Sequence, residues 1–162
     1  MERENKRQAV WIIVLIPVLL ISILVSYKIA HPVLIFSKGV NYAQSGKNDK
    51  AIDEFNKAIT IRPKFFEAYN GRGFVYNVKG EYDQAIHDFN EAIKIKPNFA
   101  EAYSNRGLAY DNKGNYDQAI SDYNKAIKIN PNLSAGYYNR GRSYQAKANY
   151  DEAILDCTKA IK

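Results

Sequence analysis

The sequence predicts an all-α fold: a solenoid of four stacked helix-turn-helix repeats, preceded by one membrane-spanning helix. Three observations carry that expectation. The stretch EAYNGRGFVYNVKGEYDQAI at 67–86 returns as EAYSNRGLAYDNKGNYDQAI at 101–120 and as AGYYNRGRSYQAKANYDEAI at 135–154. A fixed period of 34 residues signals stacked copies of one supersecondary unit. Within each copy, small and apolar residues recur at the spacing of one helix face. Ahead of the copies runs AVWIIVLIPVLLISILVSYKIA, at 9–30, uninterrupted by charge until Lys28.

The chain opens with a short polar tail, residues 1–7. Residues 8–30 follow as a predicted transmembrane helix of the signal-anchor kind. About 21 apolar residues make a helix of about 31 Å, close to the thickness of a bilayer core. Trp11 and Tyr27 stand near its ends, where aromatic belts form, and Lys28 can snorkel. Pro17 is tolerated in a membrane span. The rival is a cleaved signal peptide, whose apolar region is shorter and ends on a small-x-small site. Leu24-Val25-Ser26 offers Leu where a small residue is wanted. Arg3, Lys6 and Arg7 before the span, against Lys28, Lys38 and Lys47 after it, favour a single-pass membrane protein with its body on the non-cytoplasmic side.

Residues 32–162 divide into rows at 32–65, 66–99, 100–133 and 134–162. Pro63, Pro97 and Pro131 close the first three rows. Gly39, Gly73, Gly107 and Gly141 share a column, as do Tyr42, Tyr76, Tyr110 and Tyr144. Phe55, Phe89, Tyr123 and Cys157 fill another. In the third row Ala102, Tyr103, Arg106, Gly107 and Tyr110 share one helix face. Asn98 is the expected N-cap, with Glu101 as its capping-box partner. Gly114 supplies the left-handed residue that ends the helix, as Gly46 and Gly80 do in their rows; Ala148 is the exception. A second helix is expected over 116–129, burying Ala119, Ile120, Tyr123, Ala126 and Ile127 until Pro131 forbids continuation. Gly107 and Ala119 are expected to let the paired helices approach, with Tyr110 and Tyr123 beside them. One copy cannot bury its own apolar face, so its neighbours must.

This pattern of Tyr103, Gly107, Tyr110, Ala119, Tyr123, Ala126 and Pro131 resembles the tetratricopeptide repeat family, and the resemblance covers everything from Pro32 to Lys162. It implies a right-handed superhelix whose first helices line a concave groove for a peptide or protein segment. By register the groove positions are Val33, Phe36 and Val40 in the first row, and Glu67, Asn70, Phe74 and Asn77 in the second. Glu101, Ser104, Asn105, Leu108 and Asp111 follow, then Tyr138, Asn139, Arg142 and Gln145. Some family members clamp the terminal carboxylate of chaperone tails with lysines, an arginine and asparagines. Only Asn105 and Asn139 have counterparts here, and Phe36 and Val40 stand where cations are needed.

Other chemistry is poorly represented. There is no GxxxxGK[ST] loop and no HExxH, so no catalytic residue, cofactor or metal is expected and the chain reads as a non-enzyme. The single Cys157 lies in a core column. The formal charge of +6 divides unevenly: without the four cations and two anions before Pro32, 19 cations face 15 anions, a body of +4. Its lysines are scattered, which argues against nucleic acid. Lys38, Arg72, Arg106 and Arg140 form one column, and Glu54, Asp88, Asp122 and Asp156 another, 16 residues on. They read either as repeated structural pairs or as a basic ladder for an acidic ligand. No polar capping helix follows Ile161, so Ile154, Cys157 and Ile161 are expected to be partly open, to a partner or to self-association. The functional expectation is a membrane-anchored scaffold or adaptor using its groove. The alternative is a structural or assembly subunit of a membrane complex, held by that open end and the convex face.

Overall fold

The computed structural model describes the backbone of residues 2–161 and the side chains of 16–22, 24, 25 and 30–161. The described residues form eight helices and no strand: α1 (Glu2–Gln44), α2 (Asn48–Ile61), α3 (Phe66–Val78), α4 (Tyr82–Ile95), α5 (Ala100–Asn112), α6 (Tyr116–Ile129), α7 (Ser134–Ala146) and α8 (Tyr150–Ala160). They pair as α1 with α2, α3 with α4, α5 with α6 and α7 with α8, and each second helix also packs on the first helix of the next pair. The expected helix over 116–129 is α6, with Ala119, Tyr123 and Ala126 buried and Ile120 and Ile127 half-buried.

The core is a row of aromatic rings seated against glycines and alanines. Phe55, Phe89 and Tyr123 are almost wholly buried, among Ala51, Ala58, Ala85, Ala92, Ala119 and Ala126. The role expected for Gly107 needs correcting. It makes room for a ring rather than for Ala119: a Cβ at Gly107 would stand 2.8 Å from Tyr123 Cε1. The aromatic column and the glycine column are therefore two halves of one contact.

Helix ends depart from expectation at two places. Asn98 does not cap α5; the cap is Phe99, and no side chain bonds the free amides there. The turn is closed instead by backbone, with Ala102 N donating to Phe99 O at 3.1 Å. Packing holds it too, as the Phe99 ring meets Phe66 edge-on at 4.9 Å. An apolar wedge has taken the position that a polar cap would occupy. At the C-terminal ends Gly46, Gly80 and Gly114 have φ of +70°, +81° and +80°, and Ala148 takes +61° as well. Asn149 N bonds Tyr144 O at 2.9 Å, just as Asn115 N bonds Tyr110 O at 2.8 Å. The fourth row thus keeps the turn and accepts the left-handed alanine that the turn requires.

The expected anchor and the first repeat helix are one helix, α1, running through Pro17 and Pro32. Many side chains of the predicted tail and span, including Arg3, Lys6 and Arg7 of the tail and Trp11, Tyr27 and Lys28 of the span, lie outside the described residues. Among the described residues no helix is long and apolar enough to cross a membrane. Those that are described in this stretch point outward on every side: Ile16, Val18, Leu19, Leu20, Ile21, Leu24 and Val25 are each at least half exposed.

Candidate functional site

The first helices of successive pairs touch one another, α1 with α3, α3 with α5 and α5 with α7, whereas the second helices do not. A row of helices that closes up while the other row fans out lies on the inside of a curve. The inner face of the stack is therefore built from α1, α3, α5 and α7, the helices that carry the predicted groove positions.

Between the pairs runs a repeated clamp. Arg72 donates from Nε and Nη2 to both oxygens of Asp88, each at 2.7 Å, and from Nη1 to Asn56 Oδ1 at 2.5 Å. Arg106 does the same with Asp122, at 2.7 Å twice, and with Asn90 at 2.5 Å. Arg140 bonds Asp156 at 2.6 Å twice and reaches Asn124. Each aspartate belongs to the arginine's own pair and each asparagine to the pair before, so one guanidinium ties two repeats together. Asp88, Asp122 and Asp156 are buried. The bonds to Asp88 and Asp156 hold the Arg72 and Arg140 guanidinium groups above their ordinary range, against the opposing effect of burial. The cation column is thus a structural pairing within each row, with its charges already spent. The first row follows in weaker form, Lys38 reaching Glu54 at 3.3 Å. The sequence reading missed the asparagine column, although Asn56, Asn90 and Asn124 recur 16 residues before each arginine.

Six of the groove positions come together. Phe36, Val40, Glu67, Asn70, Phe74 and Asn105 line a cavity of about 480 Å³, joined by Phe55, Gly71 and Phe99. Asn105 Nδ2 donates to Asn70 Oδ1 at 3.0 Å, which leaves one amide group on each side chain to bond something else. Glu67 Oε2 is buried and has no hydrogen-bond partner. Asp111, Arg142 and Gln145 gather in a second, more polar hollow of about 420 Å³. Some positions, Asp111 among them, are also engaged between helices. Asn77 is buried and accepts from Asn112 Nδ2 at 3.1 Å; Asp111 accepts from Ser143 Oγ at 2.7 Å; Ser104 is buried. Val33, Glu101 and Tyr138 are exposed, and Asn139 and Leu108 half-buried.

Two further sites complete the picture. Tyr123 carries a buried hydroxyl with no hydrogen-bond partner. Burial pushes its ionisation far above the ordinary tyrosine range, and the nearby Asp111 carboxylate adds to the shift. Cys157 lies in the column that is buried in the other rows, yet it is exposed, as expected for this end, because no further helix covers that side of α8 among the described residues. Ile154, Leu155 and Ile161 are exposed with it. The described residues contain no cluster of His, Cys, Asp and Glu able to hold a metal ion.

Family profiles described as "Tetratricopeptide repeat" match residues 100–133 and 122–155, and one described as "TPR repeat" matches 39–78 and 76–114. Among solved structures, a crystal structure of MamA is 31% identical, with a TM-score of 0.72, covering 78% of this chain and 74% of that one. The chain belongs to the tetratricopeptide repeat family. A second solved structure, MamA 41-end from Desulfovibrio magneticus RS-1, is 25% identical with a TM-score of 0.72, covering 80% of this chain and 73% of that one. The first tetratricopeptide repeat domain of Spaghetti (RPAP3), solved bound to the HSP90 peptide SRMEEVD, is 26% identical with a TM-score of 0.69; it covers 72% of this chain and 93% of that one. Comparison with curated proteins returned no match. Tetratricopeptide repeats mediate protein–protein interaction, and the RPAP3 domain does so with a short peptide.

Proposed function

We propose that this protein is a membrane-anchored scaffold or adaptor that performs no chemistry and holds a segment of a partner protein on its inner face. The observation that carries this reading is the cavity between α1, α3 and α5. It is the size of a ligand site, mainly apolar, with a few polar groups that converge on it. Phe74, one of the residues lining the cavity, is a large apolar side chain left 46% exposed. The Asn70–Asn105 pair offers a donor and an acceptor suited to a peptide backbone. A carboxylate clamp of the kind that takes acidic tails does not fit. The cavity lining contains no lysine or arginine, and an acidic segment such as SRMEEVD would bring like charge to Glu67.

The anchor rests on the sequence of residues 8–30 and on the outward apolar side chains at 16–25. A helix that is apolar all round needs lipid or protein around it. Alkaline carbonate extraction of membranes is the check: the full chain should stay in the pellet, and release into the supernatant would remove the anchor from the account. With α1 continuous through Pro32, the first repeat sits against the bilayer surface with little freedom to swing.

The groove is tested by crosslinking in intact cells followed by affinity purification. The native chain is compared with a variant carrying Asn105→Ala, Asn139→Ala and Arg142→Glu, after the two are shown to be equally helical. Loss of particular partners from the variant supports the adaptor reading. Persistence of the same partners contradicts it and favours the exposed surface of α8, around Ile154 and Leu155, as the interface.

A further inference from the structure

We infer that the cavity between α1, α3 and α5 is a pocket for a basic side chain, a lysine or arginine, carried by an extended segment of the partner protein. This rests on the adaptor reading and specifies the ligand of the same face. Glu67 is the only ionisable residue among the cavity's lining residues. Its Oε2 is buried without a hydrogen-bond donor, and no cation of this chain forms an ion pair with it among the described residues. A buried carboxylate oxygen left in this state is costly, and a donor brought from outside relieves it.

The shape of the pocket selects which donor. Phe36, Val40, Phe55, Phe74 and Phe99 supply apolar walls. A small polar ligand would gain nothing from those walls. A lysine or arginine side chain lays its aliphatic stem along them and carries its charged head to the carboxylate. The head also gains from the aromatic faces, since a cation within about 6 Å of a ring centroid is attracted to it. An arginine adds the forked geometry that suits a carboxylate. Asn70 and Asn105, at the same wall, take the backbone on either side of the inserted residue.

The position is also singular along the stack. The equivalents of Glu67 in the other rows are Val33, Glu101 and Ala135. Glu101 is exposed, and Val33 and Ala135 carry no carboxylate, so of these four equivalents Glu67 is the one with a buried, unpartnered carboxylate oxygen. The pocket therefore fixes the register of a bound segment, placing its basic residue opposite the second row.

The test is selection of phage-displayed random dodecapeptides on the full chain held in lipid nanodiscs. Selected sequences should share one lysine or arginine flanked by apolar residues. A synthetic peptide of that consensus should bind Glu67→Gln roughly 10-fold to 100-fold more weakly. Replacing its basic residue by norleucine should weaken binding to the native chain by a similar factor and to Glu67→Gln by little. Glu67→Gln keeps size and shape, and an unchanged helical circular dichroism spectrum separates lost binding from lost fold. Peptides that bind through this face, shown by loss on Phe74→Glu, but carry no basic residue would overturn the inference and leave the adaptor reading standing. If no selected peptide is sensitive to Phe74→Glu, both fall. Concentration-dependent dimerisation abolished by Glu67→Gln would overturn the partner assignment in favour of a second copy of this chain.

Discussion

Between its helices and along its inner face, this chain uses the 34-residue period in opposite ways. At the contacts between pairs the second, third and fourth rows are interchangeable. Arg72, Arg106 and Arg140 each bind an aspartate of their own row and an asparagine of the row before. On the inner face the rows diverge at most positions: Phe74, Leu108 and Arg142 share one, and Asn70, Ser104 and Tyr138 another, while Glu67 matches Glu101 and Asn105 matches Asn139. Stacking is a nearest-neighbour problem that every row must solve in the same way, so its residues repeat. A ligand meets each row only once, so the residues that face it are free to differ. Uniformity marks what holds the stack together, and variety marks what the stack presents.

The largest expected effect lies at the repeated contacts between pairs. Arg106→Ala strands the buried Asp122 carboxylate and frees Asn90, and should lower unfolding free energy by about 3–5 kcal/mol, read from urea denaturation of the full chain. Little change there would mean that the clamp is decoration.

Two smaller effects come from substitutions that make rows more alike. Tyr123→Phe restores to the third row the residue found in the first two and removes an unpartnered buried hydroxyl, so it should stabilise by about 1 kcal/mol at neutral pH. The folded state also raises the Tyr123 ionisation above the unfolded value near 10, so above that pH only the unfolded chain gives up this proton. Stability should then fall with rising pH, by up to about 1.4 kcal/mol per pH unit from this group, and the Tyr123→Phe variant should lack that component. The pH dependence of the difference between the two proteins isolates it from the other tyrosines. Smaller still, Ala148→Gly should stabilise by about 0.5–1 kcal/mol by relieving the left-handed alanine, and Gly114→Ala should destabilise by about the same amount. Thermal denaturation of the pair reads both signs.

Much of the fold was legible because the period repeats its own grammar. The row boundaries, the aromatic and glycine columns and the helix over 116–129 all follow from residues that recur at one spacing. The start of α5 was not legible, although that of α6 at Tyr116 was. Asn98 has the chemistry of a cap, but Phe99 takes the position because its ring can be buried against Phe66. On the inner face the sequence placed residues on the right helices without showing which stay open. Asn105 bonds Asn70 and Asn112 bonds Asn77, each across 35 residues, and Ser143 reaches Asp111 across 32. Columns aligned at 34 residues cannot show contacts that step diagonally between rows. Glu67 was placed on the groove by register, but its sharing one cavity with Phe36, Phe55 and Phe74 depends on three helices that only the folded chain brings together.

The most direct test of the account is site-specific photocrosslinking in intact cells, with a photoreactive phenylalanine placed either at Phe74, on the inner face, or at Leu155, on the exposed side of α8. Discrete partner adducts are expected from position 74 that disappear with Asn105→Ala, with none of those adducts from position 155. Adducts from position 155 alone would contradict that expectation, and would move the working surface from the varied inner face to the open side of the last helix.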